Sequence, residues 1–403
     1  MNLHTSCRFF AGALSLMLLL VSPLSGATEP SDIASVLQPF VDRHELAGAV
    51  TLVASKDKIL SLQAVGYADI AAKKSMRTDA LFWIASMSKP IAATALMMLV
   101  DEDKVRLDDP VQKYLPQFAP SIIAVTSDGA GAHLQALRHA VTIRNLLSHS
   151  SGIPFSSSIE TPTLDVYALA TRVQSYALEP LMFEPGSDYV YSNAGINTAG
   201  RIVEVVSGQS YEAFLQTRLF APLGMIDTTF WPNAAQVARL AKSYKVNALG
   251  TDLEEITITQ LHYPLTDRAH RYPMPAGGLF STASDLAKFC QMLLNGGTYT
   301  GRRFLSEAAI REMSSSQLSE AVLQKRFSSR SGPTDPTGYG LGWSTYPSGA
   351  FGHGGAYATN LRIDPEHGLA TVWLIQHASF PGEGAKSHAV FEKAAVEIYS
   401  PRP

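Results

Sequence analysis

The stretch Ala85-Ser86-Met87-Ser88-Lys89-Pro90-Ile91-Ala92-Ala93-Thr94-Ala95-Leu96-Met97-Met98-Leu99-Val100 organises this chain. It closes the apolar run Leu81-Phe82-Trp83-Ile84. Pro90 suits a first helical turn, where its missing N–H has no intrahelical partner. The Ala, Leu and Met residues that follow favour continuation of the helix. A helix starting near Ser86 puts Lys89, three residues on, on the same face. At a helix N-terminus the backbone N–H groups and the dipole favour negative charge. A neighbouring lysine can stabilise an alkoxide there or, once deprotonated, take the hydroxyl proton, which turns a weak alcohol into a nucleophile.

The spacing alone is weak. Ser and Lys are common enough that a chain of this length contains roughly one S-x-x-K by chance. Ser55-Lys56-Asp57-Lys58 is such a case. It lies between Ala49-Val-Thr-Leu-Val-Ala54 and Ile59-Leu-Ser-Leu-Gln-Ala-Val65, which read as the two strands of a hairpin around a polar turn. Taken alone, Ser86 and Lys89 are equally an N-capping serine and a surface lysine. Other segments must decide.

The chain has 403 residues, 46% of them hydrophobic and 17% charged, enough for a large core and for two or so domains. A net charge of −3 and a pI near 6.4, with no basic run, give no support to a nucleic-acid partner. The first residues read as an export signal. Arg8 is the one charged side chain before Glu29, Phe9 to Val21 is apolar, and Ser25-Gly26-Ala27 offers small residues for cleavage after Ala27. The apolar run is short for a membrane anchor. Cleavage removes Cys7 and leaves Cys290, so neither an intramolecular disulfide nor a cysteine zinc cluster is expected. Export without disulfides suits a bacterial periplasmic or secreted protein, with no stable membrane span after signal cleavage.

Ser31 to His44 reads as a helix capped by Ser31, with an apolar stripe of Ile33, Val36, Leu37, Phe40 and Val41; Pro39 should kink or break it. Leu107-Asp108-Asp109-Pro110 starts a new element, and from there to about residue 275 helices and loops dominate. Ser121 to Ala140 reads as a mobile loop and Ser314 to Gly338 as a polar surface loop. Strands return at Ala356 to Ile363 and Leu369 to Gln376, and a final helix runs from about Ala385 to Tyr399. Strands at both ends with helices between them imply one sheet built from the two termini, with a cleft where the parts meet.

Two more stretches pair a reactive side chain with an unusual backbone. Phe183-Glu184-Pro185-Gly186 precedes Tyr189-Val190-Tyr191-Ser192-Asn193, which opens a helix and puts Tyr191 on a turn. A phenol has a free pKa of about 10, which a nearby ammonium lowers. The bland alternatives are a core tyrosine and a capping Asn193. Gly352-His353-Gly354-Gly355-Ala356 stands at the head of an expected strand, where glycines mean a plain turn or a close approach to a ligand.

In this order, Ser86-Met-Ser-Lys89, Tyr191-Ser-Asn193 and His353-Gly-Gly355 resemble the penicillin-recognising serine hydrolases. The nearest likeness is to the class C β-lactamase-like branch, with its D-alanyl-D-alanine carboxypeptidases, D-aminopeptidases and family VIII esterases. Ile143 to Gly152, Phe220 to Met225, Ala276 to Asp285 and Tyr339 to Trp343 add to the likeness, which spans nearly the whole mature chain. It implies an α/β fold whose antiparallel sheet is built from both termini and flanked by helices. The α/β part would cover about 28–85 and 276–403, and a mostly helical insertion about 86–275. It further implies acyl transfer through a Ser86 acyl-enzyme, with Lys89 and Tyr191 sharing the proton work. Asn193 would orient Lys89 and touch substrate, Gly354 and Gly355 would let the strand edge approach it, and the N–H groups of Ser86 and Ala356 would hold the oxyanion.

The third motif departs from the Lys-Thr-Gly of β-lactamases, whose lysine helps bind the substrate carboxylate. A histidine is mostly neutral at pH 7. Arg362, on the same strand, is a candidate for that charge, but alternation alone does not place it. Small esters, amides or peptides are therefore the expected substrates, and carboxylate-bearing β-lactams poor ones. A β-lactamase, a penicillin-binding carboxypeptidase and a non-catalytic cell-wall peptide binder remain the alternatives. No G-x-S-x-G, H-E-x-x-H or H-x-H occurs, so no cofactor and no metal is expected.

Overall fold

The computed structural model of the protein describes Met1 and residues 32–400, except 120–121, 128–130, 162, 330–334, 379 and 381. The expected export segment, Met1 apart, lies outside the described residues.

Strands β1 (Gly48–Ser55), β2 (Ile59–Asp69), β3 (Lys74–Ser75), β4 (Gly338–Tyr339), β5 (Ser344–Thr345), β6 (Phe351–Gly354), β7 (Asn360–Asp364) and β8 (Leu369–Leu374) make one sheet. Its order is β4-β5-β6-β7-β8-β1-β2-β3, and every neighbouring pair is antiparallel. The two ends of the chain meet at its centre, where Val50 stands opposite Leu374 and Leu52 opposite Val372. This is the expected sheet from both termini. The helices needed below are α1 (Ile33–Asp42), α2 (Ser88–Asp101), α3 (Ile143–Leu147), α4 (Asn193–Ser207), α5 (Ala283–Leu294), α6 (Glu320–Phe327) and α7 (Lys386–Tyr399).

Strand β1 reads Gly-Ala-Val-Thr-Leu-Val-Ala-Ser, apolar on both faces, because both faces are covered. Ala49, Val53, Leu369 and Trp373 pack against Ile33, Leu37 and Phe40 of α1 and Phe391 and Ala395 of α7. Val50, Leu52, Val372 and Leu374 face the main core with Leu286, Phe289 and Cys290 of α5. Helix α2 is apolar all round and buried all round, from Ser88 to Leu99, as a helix without a polar stripe must be.

Several expectations need correction. Asp32, not Ser31, caps α1, and Pro39 does not end it, because burial of the apolar stripe outweighs one lost hydrogen bond. The region 121–140 holds a hairpin, Ile122–Ser127 with Gly131–Ala136, in place of a mobile loop. Within the expected loop 314–338, α6 forms with Ser319 as cap, and Val322 and Phe327 pack on Tyr339. The helical stretch to 275 also contains a hairpin, Ser243–Val246 with Leu253–Ile256. Strand β7 starts at Asn360 rather than Ala356. The Gly352–Ala356 stretch therefore ends β6 and enters a turn, where Gly355 N–H donates to Thr359 O at 2.7 Å.

Candidate active site

Ser86 does not cap α2; it sits in a 3₁₀ turn, Ala85–Met87, that feeds into it. Ala85 has φ +44°, a left-handed conformation that costs a non-glycine residue free energy and persists only when its surroundings impose it. They do so here. Ile84 N–H donates to Leu279 O, Trp83 Nε1 to Gly277 O at 2.8 Å, and Gln376 Nε2 to Trp83 O at 3.0 Å. The Ser88 hydroxyl bridges Ala85 O and Leu279 N. The turn holds Ser86 half-buried between buried neighbours.

Lys89 is fully buried, and its Nζ meets three oxygens: Ser86 Oγ at 3.0 Å, Asn193 Oδ1 at 2.7 Å and Ala276 O at 2.7 Å. Loss of water pushes its pKa well below that of a free lysine. Nζ also lies 4.6 Å from the centre of the Tyr191 ring. Burial pushes the Tyr191 phenol above its ordinary value, and the adjacent Ser86 hydroxyl pulls the other way. The expected lowering by an ammonium is thus not what the site produces: burial dominates.

Ser192 rather than Asn193 caps α4, accepting from Gly195 N–H at 3.0 Å. That leaves the Asn193 side chain to Lys89. Behind this turn lies His149, which follows α3 in a left-handed conformation and packs against Tyr191 with ring centres 4.4 Å apart and planes tilted by 44°.

His353 is buried. Its Nδ1 is 2.7 Å from Gly354 O and its Nε2 is 2.9 Å from the Tyr339 hydroxyl. Burial and the nearby Lys89 depress its pKa to about 3, so the ring is neutral. Gly354 and Ala356 are exposed and Gly355 half-buried, which leaves this strand end open to a ligand. A side chain on Gly355 would lie 2.5 Å from Ile84 O and 2.1 Å from Thr359 Oγ1, so only glycine lets the strand end lie against the turn that carries Ser86. Among the described residues, the N–H groups of Ser86 and Ala356 donate to no protein acceptor. Arg362 does not complete the site. It pairs with Thr371, whose hydroxyl bonds Glu392 on α7, so it sits on the far face of the sheet from His353 and Leu361, stacked on Tyr346.

All eight candidate residues thus come from three segments that meet at the Ser86 turn. The rival Ser55 only shapes its hairpin, accepting from Asp57 N–H and Lys58 N–H. Sequence reasoning missed Ala276, whose carbonyl anchors Lys89, and its support Asn197, which accepts from Ala276 N–H at 3.1 Å. It also missed His149 and Tyr339 as individual residues. Ala276, His149 and Tyr339 lie in stretches that carry the family likeness, but nothing local marks them as parts of a site. Among the described residues, the one group with metal-ligand chemistry is Asp364, Glu366 and His367 on the β7–β8 turn, where His367 already bonds Asp364 at 2.8 Å.

A family model described as Beta-lactamase matches residues 33–395. An uncharacterized protein of Mycobacterium tuberculosis (strain CDC 1551 / Oshkosh), MT1414, is 34% identical over 83% of this chain and 87% of its own. Penicillin-binding protein 4 of Amycolatopsis lactamdurans is 33% identical over 74% of this chain and 73% of its own. Among solved structures, EstCE1, a hydrolase with promiscuous acyltransferase activity, superposes with a TM-score of 0.74 at 25% identity, covering 90% of this chain and 97% of that one. The match along nearly the whole described chain and the Ser86 site agree: the chain belongs to the Beta-lactamase family, a family of serine hydrolases.

Proposed function

We propose that the protein transfers acyl groups to water through an ester on Ser86, and that its substrates are small esters, amides or D-amino-acid peptides. The surroundings of Lys89 carry this reading. Asn193 Oδ1 and Ala276 O can only accept. A neutral amine has two N–H donors and one lone pair, so these two oxygens use both donors. The lone pair is then left for the Ser86 hydroxyl at 3.0 Å. Burial supplies the neutral form. Lys89 is therefore the base, and Tyr191, kept protonated by burial, is the acid.

In the first step the Ser86 proton passes to Lys89 as Oγ bonds the substrate carbonyl carbon. The charge on the carbonyl oxygen rests on the N–H groups of Ser86 and Ala356; each such donor typically contributes about 3 kcal/mol. Collapse breaks the bond to the leaving group, which takes a proton from Tyr191, itself resupplied from Lys89. Water then attacks the acyl carbon and gives a proton to the same pair; the bond from the acyl carbon to Oγ breaks, the pair returns that proton to Oγ, and the free acid leaves Ser86 as it began.

The neutral His353 narrows the substrate class. Both its ring nitrogens are committed within the protein, and Arg362 lies on the other face of the sheet. A substrate carboxylate finds no fixed cation at the third motif, which favours esters over penicillins. The relative named Penicillin-binding protein 4 supports the second reading, a penicillin-binding carboxypeptidase. Export through segment 1–27 and the division into an α/β part and a helical part, with the cleft between them, belong to the same proposal. The apolar run Phe9 to Val21 and the small residues Ser25-Gly26-Ala27 support export, and a site that draws on both parts supports the division.

A fluorophosphonate should label the wild-type protein and Ser55→Ala but not Ser86→Ala; an unlabelled wild type would mean a binder without chemistry. Short-chain nitrophenyl esters should be turned over faster than a chromogenic cephalosporin or D-alanyl peptides. Penicillin turnover matching ester turnover would overthrow the substrate assignment.

A further inference from the structure

We propose that His149, Tyr339 and His353 form a hydrogen-bond chain of fixed direction that holds the Tyr191 turn and the Gly354–Ala356 strand end in register, with His149 and Tyr339 as positioning residues. The proposal rests on the reading of Ser86 as nucleophile, but its geometry is independent of it.

The chain has four links: Ser192 N to His149 Nδ1 at 3.1 Å, His149 Nε2 to Tyr339 OH at 3.1 Å, Tyr339 OH to His353 Nε2 at 2.9 Å, and His353 Nδ1 to Gly354 O at 2.7 Å. Each end fixes its direction. A backbone N–H only donates, so His149 Nδ1 carries no proton and His149 Nε2–H must donate to Tyr339. A backbone carbonyl only accepts, so His353 Nδ1 carries the proton and His353 Nε2 must accept from Tyr339. Both deductions require the Tyr339 oxygen to accept from His149 and its O–H to donate to His353. They agree at the middle.

All three side chains are buried, so a nitrogen or hydroxyl left unpaired has no water to turn to. The titratable groups felt by the three rings, besides one another, are Lys89, Tyr189, Tyr191 and Tyr346. None is a carboxylate that would stabilise an imidazolium, and burial holds both histidines neutral.

The chain ends on the two backbones that matter. Ser192 N–H belongs to the peptide that joins Tyr191 to Ser192, so fixing it fixes the plane beside the Tyr191 side chain. Val190 N–H, bound to His149 O at 3.0 Å, braces the same turn. Gly354 O belongs to the peptide before Gly355, and Gly355 O in turn accepts from Ala358 N–H at 3.0 Å. In a trans peptide the N–H opposes the C=O, so these two bonds aim the Ala356 N–H. The chain thus ties the proton donor to the oxyanion donor across segments far apart in sequence.

Two measurements test this. In protein labelled with ¹⁵N-histidine, two-bond ¹H–¹⁵N correlations should show His149 as the Nε2–H and His353 as the Nδ1–H tautomer, unchanged between about pH 5 and 8, where free imidazoles titrate. Either ring in the other tautomer, or titrating in that range, overturns the proposal. Tyr339→Phe breaks both middle links while keeping the ring. Its rate of Ser86 labelling by fluorophosphonate should fall about tenfold, with KM for a nitrophenyl ester within about twofold of wild type. A wild-type labelling rate in a folded Tyr339→Phe also overturns it; should that variant not fold, the wild-type tautomers decide. If wild-type Ser86 takes no label at all, it is the hydrolase reading that fails, and the tautomers still test the chain.

Discussion

Two serines stand three residues before a lysine, and only their surroundings separate them. Ser55 and Lys58 straddle a solvent-exposed hairpin turn. Lys89 is fully buried, and Asn193 Oδ1 and Ala276 O hold its Nζ beside Ser86. The pH dependence follows from this burial. Because burial depresses the Lys89 pKa, the neutral base is populated below the usual lysine range, and protonation on acidification removes it. Ser86 acylation should therefore rise with pH along a one-proton limb and reach a plateau below about pH 10, the free-lysine range. Lys89→Arg keeps a charge but cannot deprotonate. Its acylation rate should be lower by about 10² or more at every pH between 5 and 9. A stopped-flow measurement showing near-wild-type acylation in Lys89→Arg would reassign the lysine as a simple cation.

At the scale of elements, what matters is how the end of β6 meets the turn before α2. Gly355 is the contact, and an added methyl group would meet backbone oxygen at 2.5 Å. Gly355→Ala must push the strand end off the Ser86 turn. We expect acylation to fall by about 10²-fold, the scale of an ångström-sized misplacement. The sheet itself should hold, with the melting temperature moving by a few degrees at most, roughly the effect of 1 kcal/mol. Helix α6, hidden from sequence reasoning by its polar context, is pinned when Asp188 accepts from Lys325 Nζ at 2.7 Å and Arg326 Nε at 2.6 Å. Those basic side chains are largely solvent-exposed, so Asp188→Asn should cost only about 1 kcal/mol in urea denaturation. The helix stands mainly on buried Val322 and Phe327. A loss of several kcal/mol would show that the ion pairs carry it instead.

At the scale of the molecule, three histidines among the described residues are buried neutral: His149, His353 and His377. Burial depresses all three, His353 and His377 to about 3. Their unfolded forms take up protons near pH 6.5 while the folded ones do not. Their stabilising effect is thus complete above about pH 6.5 and is lost as pH falls from there towards 3. As pH falls from 7 to 5 unfolding should take up protons on these rings, so the urea-unfolding free energy should fall. A flat profile between pH 7 and 5 would show these rings already charged or exposed in the native state. The sequence by itself determined the apolar strands at both ends, the buried α2, and the Ser86, Tyr191 and His353 stretches, because periodicity, turn residues and reactive side chains are local properties. Only the tertiary structure decided that Ala276 O completes the shell of Lys89, that Tyr339 links two histidines, and that Arg362 faces away. Each of these depends on which distant backbone fills a hydrogen-bonding position or which face of a strand is covered, and no local pattern encodes that.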